Sequence, residues 1–275
     1  MAKQMMTPPK DAIACIEGLK PHATRLWPTG ATRLDAIAEE VPVALVYNGV
    51  SHAVMMASPV DLMSFALGFS YTEGIISHAD ELYDTEVQQG AHGISINLTI
   101  SQRCFTKLKA RNRKLTGPSG CGLCGIESLK MLSRDLPAIN SQVTISSQSI
   151  QTAVKNFSPQ QQLRAETGGT HASAWCNRNG DILTIAEDVG RHNALDKLIG
   201  KLLRQKDIPE GFILTSSRVS FEMVQKALAL QAPLLVGVSA PTTIALSEAE
   251  AKGLCIVAFA RPGRHVVYTH QERIL

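Results

Sequence analysis

The sequence predicts an α/β protein, and three observations carry that expectation. From Thr170 to Ala260, short β-prone runs alternate with segments of helical length, the rhythm of strands joined through helices. Nearer the N-terminus, Gly93 to Ile100 places Ile94, Ile96, Leu98 and Ile100 at every second position, the period of a half-buried strand. The 275 residues are 44% hydrophobic and 19% charged, a globular balance with enough chain for one large domain or two modest ones.

Residues 1–38 carry scattered Pro and Gly with little periodicity and read as an irregular N-terminal arm. A smaller α+β unit is expected over 39–137. Val41 to Tyr47 reads as a strand, Asn48-Gly49 as a two-residue turn and Ser51 to Ala57 as the returning strand. Asp61 to Ile76 has helical spacing, with Pro59 just ahead of it, where a missing N–H does no harm. After the strand at Gly93 to Ile100, Gln102 to Leu115 reads as a helix that carries Arg103, Lys107, Lys109, Arg111, Arg113 and Lys114. Between Val87 and Ile126 there is no Asp or Glu. Ile126 to Leu136 reads as helical and closes the unit.

The remaining 138–275 reads as an α/β domain. Helices are expected at Gln148 to Phe157 and Pro159 to Glu166, then a hairpin of Thr170 to Cys176 and Ile182 to Ala186 about the turn Asn177 to Asp181. Helices near His192 to Arg204, Ser220 to Leu230 and Thr242 to Lys252 then alternate with strands at Gly211 to Thr215, Leu234 to Val238 and Cys255 to Ala260. That alternation favours largely parallel pairing.

Several function classes recede. The net charge of +3 is too small to imply a nucleic-acid partner, although the basic run is a local exception. No apolar stretch reaches the roughly 18 residues that span a bilayer, and Met1 to Lys10 has no signal-peptide core; a cytoplasmic protein with no membrane partner is the expectation. No segment matches G-x-x-x-x-G-K-[ST], so ATP hydrolysis is not expected. Six cysteines in a chain of this length do not form a disulfide framework; in a reducing compartment they are free, catalytic or metal-bound.

Two features point to chemistry. The first is Ser119-Gly120-Cys121-Gly122-Leu123-Cys124-Gly125, two thiols among three glycines directly after the basic run. Nearby Lys and Arg lower a thiol's pKa. The pair admits a structural zinc site, a redox pair, a nucleophile that carries a group, or two buried structural thiols. Zinc wants a second ligand pair, which Cys104, Cys176, His171 and His192 are poorly spaced to supply. The second feature is the shared pattern at the strand ends: Glu187 to Asn193, Thr215 to Arg218, Val238 to Thr243 and Ala260 to His265 each follow an apolar run. Ligands of open α/β sheets sit beyond the carboxyl ends of the strands, where helix N-termini offer N–H groups to phosphate. Hydroxyls and arginines gathered there suit a phosphorylated, nucleotide-bearing ligand.

These blocks together identify a resemblance. Gly120 to Gly125, Thr167-Gly168-Gly169-Thr170-His171-Ala172, Glu187 to Ala194, Thr215 to Ser220, Ser239 to Thr242 and Ala260-Arg261 resemble the FdhD family, the formate dehydrogenase accessory sulfurtransferases. The likeness runs from about Glu39 onward. It implies that Cys121 takes sulfur from a cysteine desulfurase as a persulfide, with Cys124 as a second thiol. The implied acceptor is the molybdenum cofactor in its bis-molybdopterin guanine dinucleotide form, before it enters the formate dehydrogenase catalytic subunit. The family's cofactor-binding segment matches Phe259, Ala260, Arg261, Pro262, Gly263, Arg264 and His265, where guanine nucleotides such as GDP are also implied. With the strand-end reading, Ser239, Thr242, Gly168, Gly169, Thr170, His171, Arg191 and His192 complete the candidate set. No metal ligand is proposed. The resemblance further implies a homodimer and a three-layer C-terminal domain similar to the cytidine deaminase fold. Deaminase chemistry itself is not expected, because His171-Ala172-Ser173 lacks the Glu of H-x-E. The rival reading is a non-catalytic chaperone that cradles the cofactor for the apo-dehydrogenase.

Overall fold

The computed structural model describes residues 16–116 and 134–275, with residues 112–116 described by their backbone alone. Strands β1 (Leu19–Arg25) and β2 (Thr32–Ala38) pair antiparallel along their whole length. This corrects the irregular arm over residues 19–38. The pair buries little beyond Leu19 and Ala36, which pack with Leu163, so its sequence carries no apolar alternation to read.

Strands β3 (Val41–Tyr47), β4 (Val50–Ala57), β5 (Leu82–Gly90) and β6 (Gly93–Ile100) form a second sheet in the order β4-β3-β6-β5. Pairing of β3 with β6 is parallel and the rest antiparallel. Strand β5 escaped the sequence reading because it is exposed along nearly its whole length. One face of this sheet, through Val43, Leu45, Tyr47, Ile96 and Leu98, packs on helices α1 (Leu62–Thr72) and α2 (Gln102–Thr116). Helix α1 is apolar on every side and buried from Ser64 to Ser70, as a helix between two layers must be.

The third sheet holds β7 (His171–Asn177), β8 (Ile182–Asp188), β9 (Gly211–Thr215), β10 (Leu234–Gly237), β11 (Cys255–Arg261) and β12 (Arg264–Val267), in the order β12-β11-β10-β9-β7-β8. Only β9–β10 and β10–β11 pair parallel. The expectation of largely parallel pairing is corrected, because β7–β8 and β11–β12 are hairpins and β7 runs against β9. Helices α5 (Arg191–Leu203), α6 (Phe221–Ala229) and α7 (Thr243–Lys252) cover one face through Leu195, Leu198, Met223, Val224 and Ala249. Helix α3 (Ser147–Phe157) covers the other through Ile150, Ala153 and Phe157; the short α4 (Gln162–Thr167) follows it. The result is a mixed α/β architecture with a three-layer C-terminal portion. No described helix is long and apolar enough to cross a membrane.

The two larger sheets are locked through α1 and α5. A Cβ at Gly68 would stand 1.8 Å from the Asp196 carbonyl oxygen, and one at Gly200 would stand 1.9 Å from that of Ser64; only glycine permits this crossing. The expected helix at Ile126 to Leu136 lies outside the described residues except for Arg134 to Leu136, which are not helical.

Candidate functional site

Because β7 runs against β8 and β9, its first residue shares an edge with the last residues of β8, β9, β10 and β11. His171 pairs with Asp188, and Ser173 with Thr215. At this edge α5, α6 and α7 begin, with Gly190, Ser220 and Thr242 as N-caps that make no side-chain cap bond. Their first-turn N–H groups face the region where the strands end. The Ser216 hydroxyl accepts from the Ala172 N–H at 2.9 Å and lies 3.3 Å from His171 Nδ1. Burial, then the nearby Arg164 and Arg191 charges, hold the His171 pKa below the ordinary value. His192 is held down to about 4 by burial and by Arg191 and Lys226, so it is neutral beside Glu222, 3.8 Å away.

At the other flank, Phe259 N–H donates to the Ser239 carbonyl at 3.1 Å. Phe259 has φ +50° at an irregularity between Ala258 and Arg261, and its ring is 38% exposed. A left-handed backbone at a non-glycine residue is strained and clusters at binding sites. Beyond it the turn Pro262-Gly263 joins Arg261 to Arg264. Both arginines are exposed, and neither has an ion-pair partner among the described residues. Strand β11 is three spacings from β7 in the sheet order, so the hairpin and His171 stand about 14 Å apart across the edge.

The structure thus brings His171, Arg191, His192, Ser239, Thr242 and the Phe259–His265 segment to one edge. It assigns other candidates elsewhere. Thr170 is buried, and its hydroxyl donates to Glu187 at 3.2 Å. Gly168, at φ +66°, ends α4, and Gly169 only continues that turn. Gln151 was missed altogether: its amide holds the hairpin from α3, at Gly263 and His265. No local sequence signal connects positions 112 and 114 residues apart.

The strand-end run Glu187 to Asn193 turns its first two carboxylates inward. Glu187 accepts from the Leu163 and Arg164 N–H groups at the start of α4. Asp188 makes a fully buried pair with Lys197 at 2.6 Å and accepts from the N–H groups of Ser58 and Gly190 and from Asn193 Nδ2. Lys197 also donates to the Ser58 carbonyl, and Asn193 to that of Met56. Glu187 thus fastens β8 to α4, and Asp188 with Lys197 and Asn193 fastens the end of β4 to α5.

Cys121 and Cys124 lie outside the described residues. Both flanks of their segment are tied to the end of α1: Arg111 donates to the Glu73 carbonyl at 2.8 Å, and Arg134 to the carbonyls of Tyr71 and Thr72. That helix end reaches the α5 side of the molecule through Thr72, which donates to Asp196, and through Lys226, which donates to Thr72, Glu73 and Asp196. The described thiols, Cys104, Cys176 and Cys255, are buried. Burial pushes Cys176 up and Cys255 up to about 12, which leaves them unreactive. Among the described residues no three His, Cys, Asp or Glu side chains gather as a metal site.

The FdhD/NarQ family model matches residues 38–275. A protein of Cupriavidus necator named sulfur carrier protein FdhD is 48% identical over 256 residues, 92% of this chain and 88% of that protein. Proteins of the same name from Variovorax paradoxus and Acinetobacter baylyi are 44% and 47% identical, over 93% and 86% of this chain and 95% and 86% of their own. A crystal structure of a provisionally named formate dehydrogenase accessory protein from Desulfotalea psychrophila aligns with TM-score 0.71 and 25% identity, covering 94% of this chain and 98% of that one.

Proposed function

The chain belongs to the FdhD/NarQ family, and on that premise we propose that it is a sulfurtransferase that matures the molybdenum cofactor of formate dehydrogenase. A cysteine desulfurase presents sulfur as a persulfide. The Cys121 thiolate attacks the outer sulfur, the donor's cysteine leaves as thiolate, and Cys121 becomes the persulfide. The S–S bond then breaks toward Cys121, which recovers its thiolate. The outer sulfur passes to the bis-molybdopterin guanine dinucleotide acceptor, which supplies the electron pair that turns it into sulfide. We place this chemistry in the cytoplasm, and the resemblance adds a homodimer.

The observation that carries the reading is the pair of exposed guanidiniums at Arg261 and Arg264, without ion-pair partners among the described residues, at an edge where three helices begin. Arginine forks bind phosphate oxygens bidentately, and helix N-termini add N–H donors. An edge about 14 Å wide suits a nucleotide-bearing acceptor. The basic face of α2 supports a thiolate at Cys121 by proximity in sequence.

Mass spectrometry after incubation with a cysteine desulfurase and cysteine tests it. Gain of one sulfur atom on Cys121, lost in Cys121→Ala with the fold retained, is the expected result. A chain that gains no sulfur is the chaperone of the rival reading instead.

A further inference from the structure

We propose that Gln151 is a positioning residue that holds the Arg261–Arg264 hairpin in place and fixes His265 as the tautomer protonated at Nε2, ready to donate to an acceptor oxygen of a guanine nucleotide. The inference rests on the nucleotide reading above for the identity of the ligand. The geometry that carries it is independent of any ligand. Gly263 follows Pro262 with φ +80°, the two central residues of a tight turn. Gln151 reaches this turn: its Oε1 accepts from the Gly263 N–H at 2.7 Å.

This bond fixes the rest. A backbone N–H can only donate, so the atom facing it is the amide oxygen, and the amide nitrogen must be the atom 2.9 Å from His265 Nδ1. An amide nitrogen has no acceptor capacity. His265 Nδ1 therefore carries a lone pair, and the neutral ring holds its proton on Nε2. His265 Nε2 has no hydrogen-bond partner among the described residues. Helix α3 is itself rigidly placed, because Ile150, Ala153 and Phe157 are buried against the sheet and Ser146 caps its first turn. One rigid side chain thus sets two adjacent recognition elements, the turn and the imidazole. A groove of about 410 Å³ lies between α3 and the turn, lined by Gln148, Gln151, Thr152, Lys155, Pro262 and Gly263.

Two variants separate the clamp from the tautomer. In Gln151→Glu the carboxylate still accepts from Gly263 but now accepts from Nδ1–H as well, which reverses the ring while keeping the hairpin. In Gln151→Leu both bonds go. Long-range proton–nitrogen NMR on the ligand-free chain reads the ring directly. The expected signature is a pyridine-like Nδ1 in the unaltered chain and a pyrrole-like Nδ1 in Gln151→Glu. GDP titration then gives about tenfold weaker binding for each variant, the scale of one misplaced hydrogen bond to a polar ligand. A pyrrole-like Nδ1 in the unaltered chain, or unchanged GDP affinity in Gln151→Glu despite a reversed ring, overturns the proposal. Absence of GDP binding by the unaltered chain would instead sink the nucleotide reading, and it is told apart because the ring is read without ligand.

Discussion

The junction between β4 and α5 and the hairpin between β11 and β12 are both dense in polar residues and end in opposite states. At the junction every charge is answered from within. Asp188 and Lys197 are fully buried and paired, and Ser58, Gly190 and Asn193 saturate what remains. At the hairpin, Arg261 and Arg264 stand exposed, and among the described residues Gln151 reaches over to steady the turn. Buried charges persist only when paired and hydrogen-bonded, so the junction's polarity serves assembly. Exposed donors held on a braced turn remain available to something outside. Partner satisfaction, not residue type, separates fastening from site.

Lys197→Met gives the hardest test of that contrast. It strands the Asp188 carboxylate in a dry site, and breaking such a pair costs about 3–5 kcal/mol. Denaturant unfolding is expected to show that loss, a large share of the roughly 5–15 kcal/mol that holds a folded chain. A loss under about 1 kcal/mol would mean that water already reaches the pair. Next comes Gly68→Ala, which drives a Cβ into the Asp196 carbonyl. Overpacking of this kind costs about 1–3 kcal/mol, and because the obstacle is backbone the upper part of that range is expected by the same measurement.

Acid sharpens the comparison further. His192 has a folded pKa of about 4 and near 6.5 when unfolded. Between those values the unfolded chain binds a proton that the native chain does not, so stability falls as pH drops from about 6.5 toward 4. Glu81 behaves as a carboxylate should. Arg103 and the Ser77 N–H hold it down to about 2, so its contribution is present above about 4.5 and is lost as pH falls toward 2. His192→Gln should flatten the upper part of the stability–pH curve and Glu81→Gln the lower part. If either variant flattens both, the two groups are coupled.

Where burial was one-sided, the sequence could be read. Ile94, Ile96, Leu98 and Ile100 alternate because β6 buries one face, and Gly211 to Thr215 stood out because β9 is buried on both. Strands β1, β2 and β5 are mostly exposed and left no periodic trace. The strand-end pattern gathered Arg191, Ser239 and the hairpin at one edge, since the carboxyl end of a strand is a local property; His171 joins them from the start of β7 only because β7 runs antiparallel to its neighbours. The pattern could not separate Thr170, which is buried against Glu187, from His171 beside it, because burial depends on α4. Nor could it find Gln151, whose role exists only once α3 lies over β11. The motif from Glu187 to Asn193 looked like a site for the reason that makes it a junction: dense polarity in a short run.

Arg261→Ala combined with Arg264→Ala is expected to move stability least and to say most about the site. Both side chains are exposed, and surface substitutions of this kind stay within about 0.5 kcal/mol. GDP affinity should nevertheless fall about 10- to 100-fold, since each charge-assisted contact to phosphate is worth about 1.5–3 kcal/mol, with part of that lost to solvent screening. Rising salt should weaken GDP binding to the unaltered chain and leave the double variant nearly indifferent. Calorimetry at two ionic strengths decides it. Unchanged affinity in the double variant would move the anion to the N-termini of α5, α6 and α7, where Arg191 opens α5, and the hairpin would then be braced for some other purpose. A large loss of stability would show instead that the arginines belong with Asp188 and Lys197 as fastenings, and the contrast between the two regions would be gone.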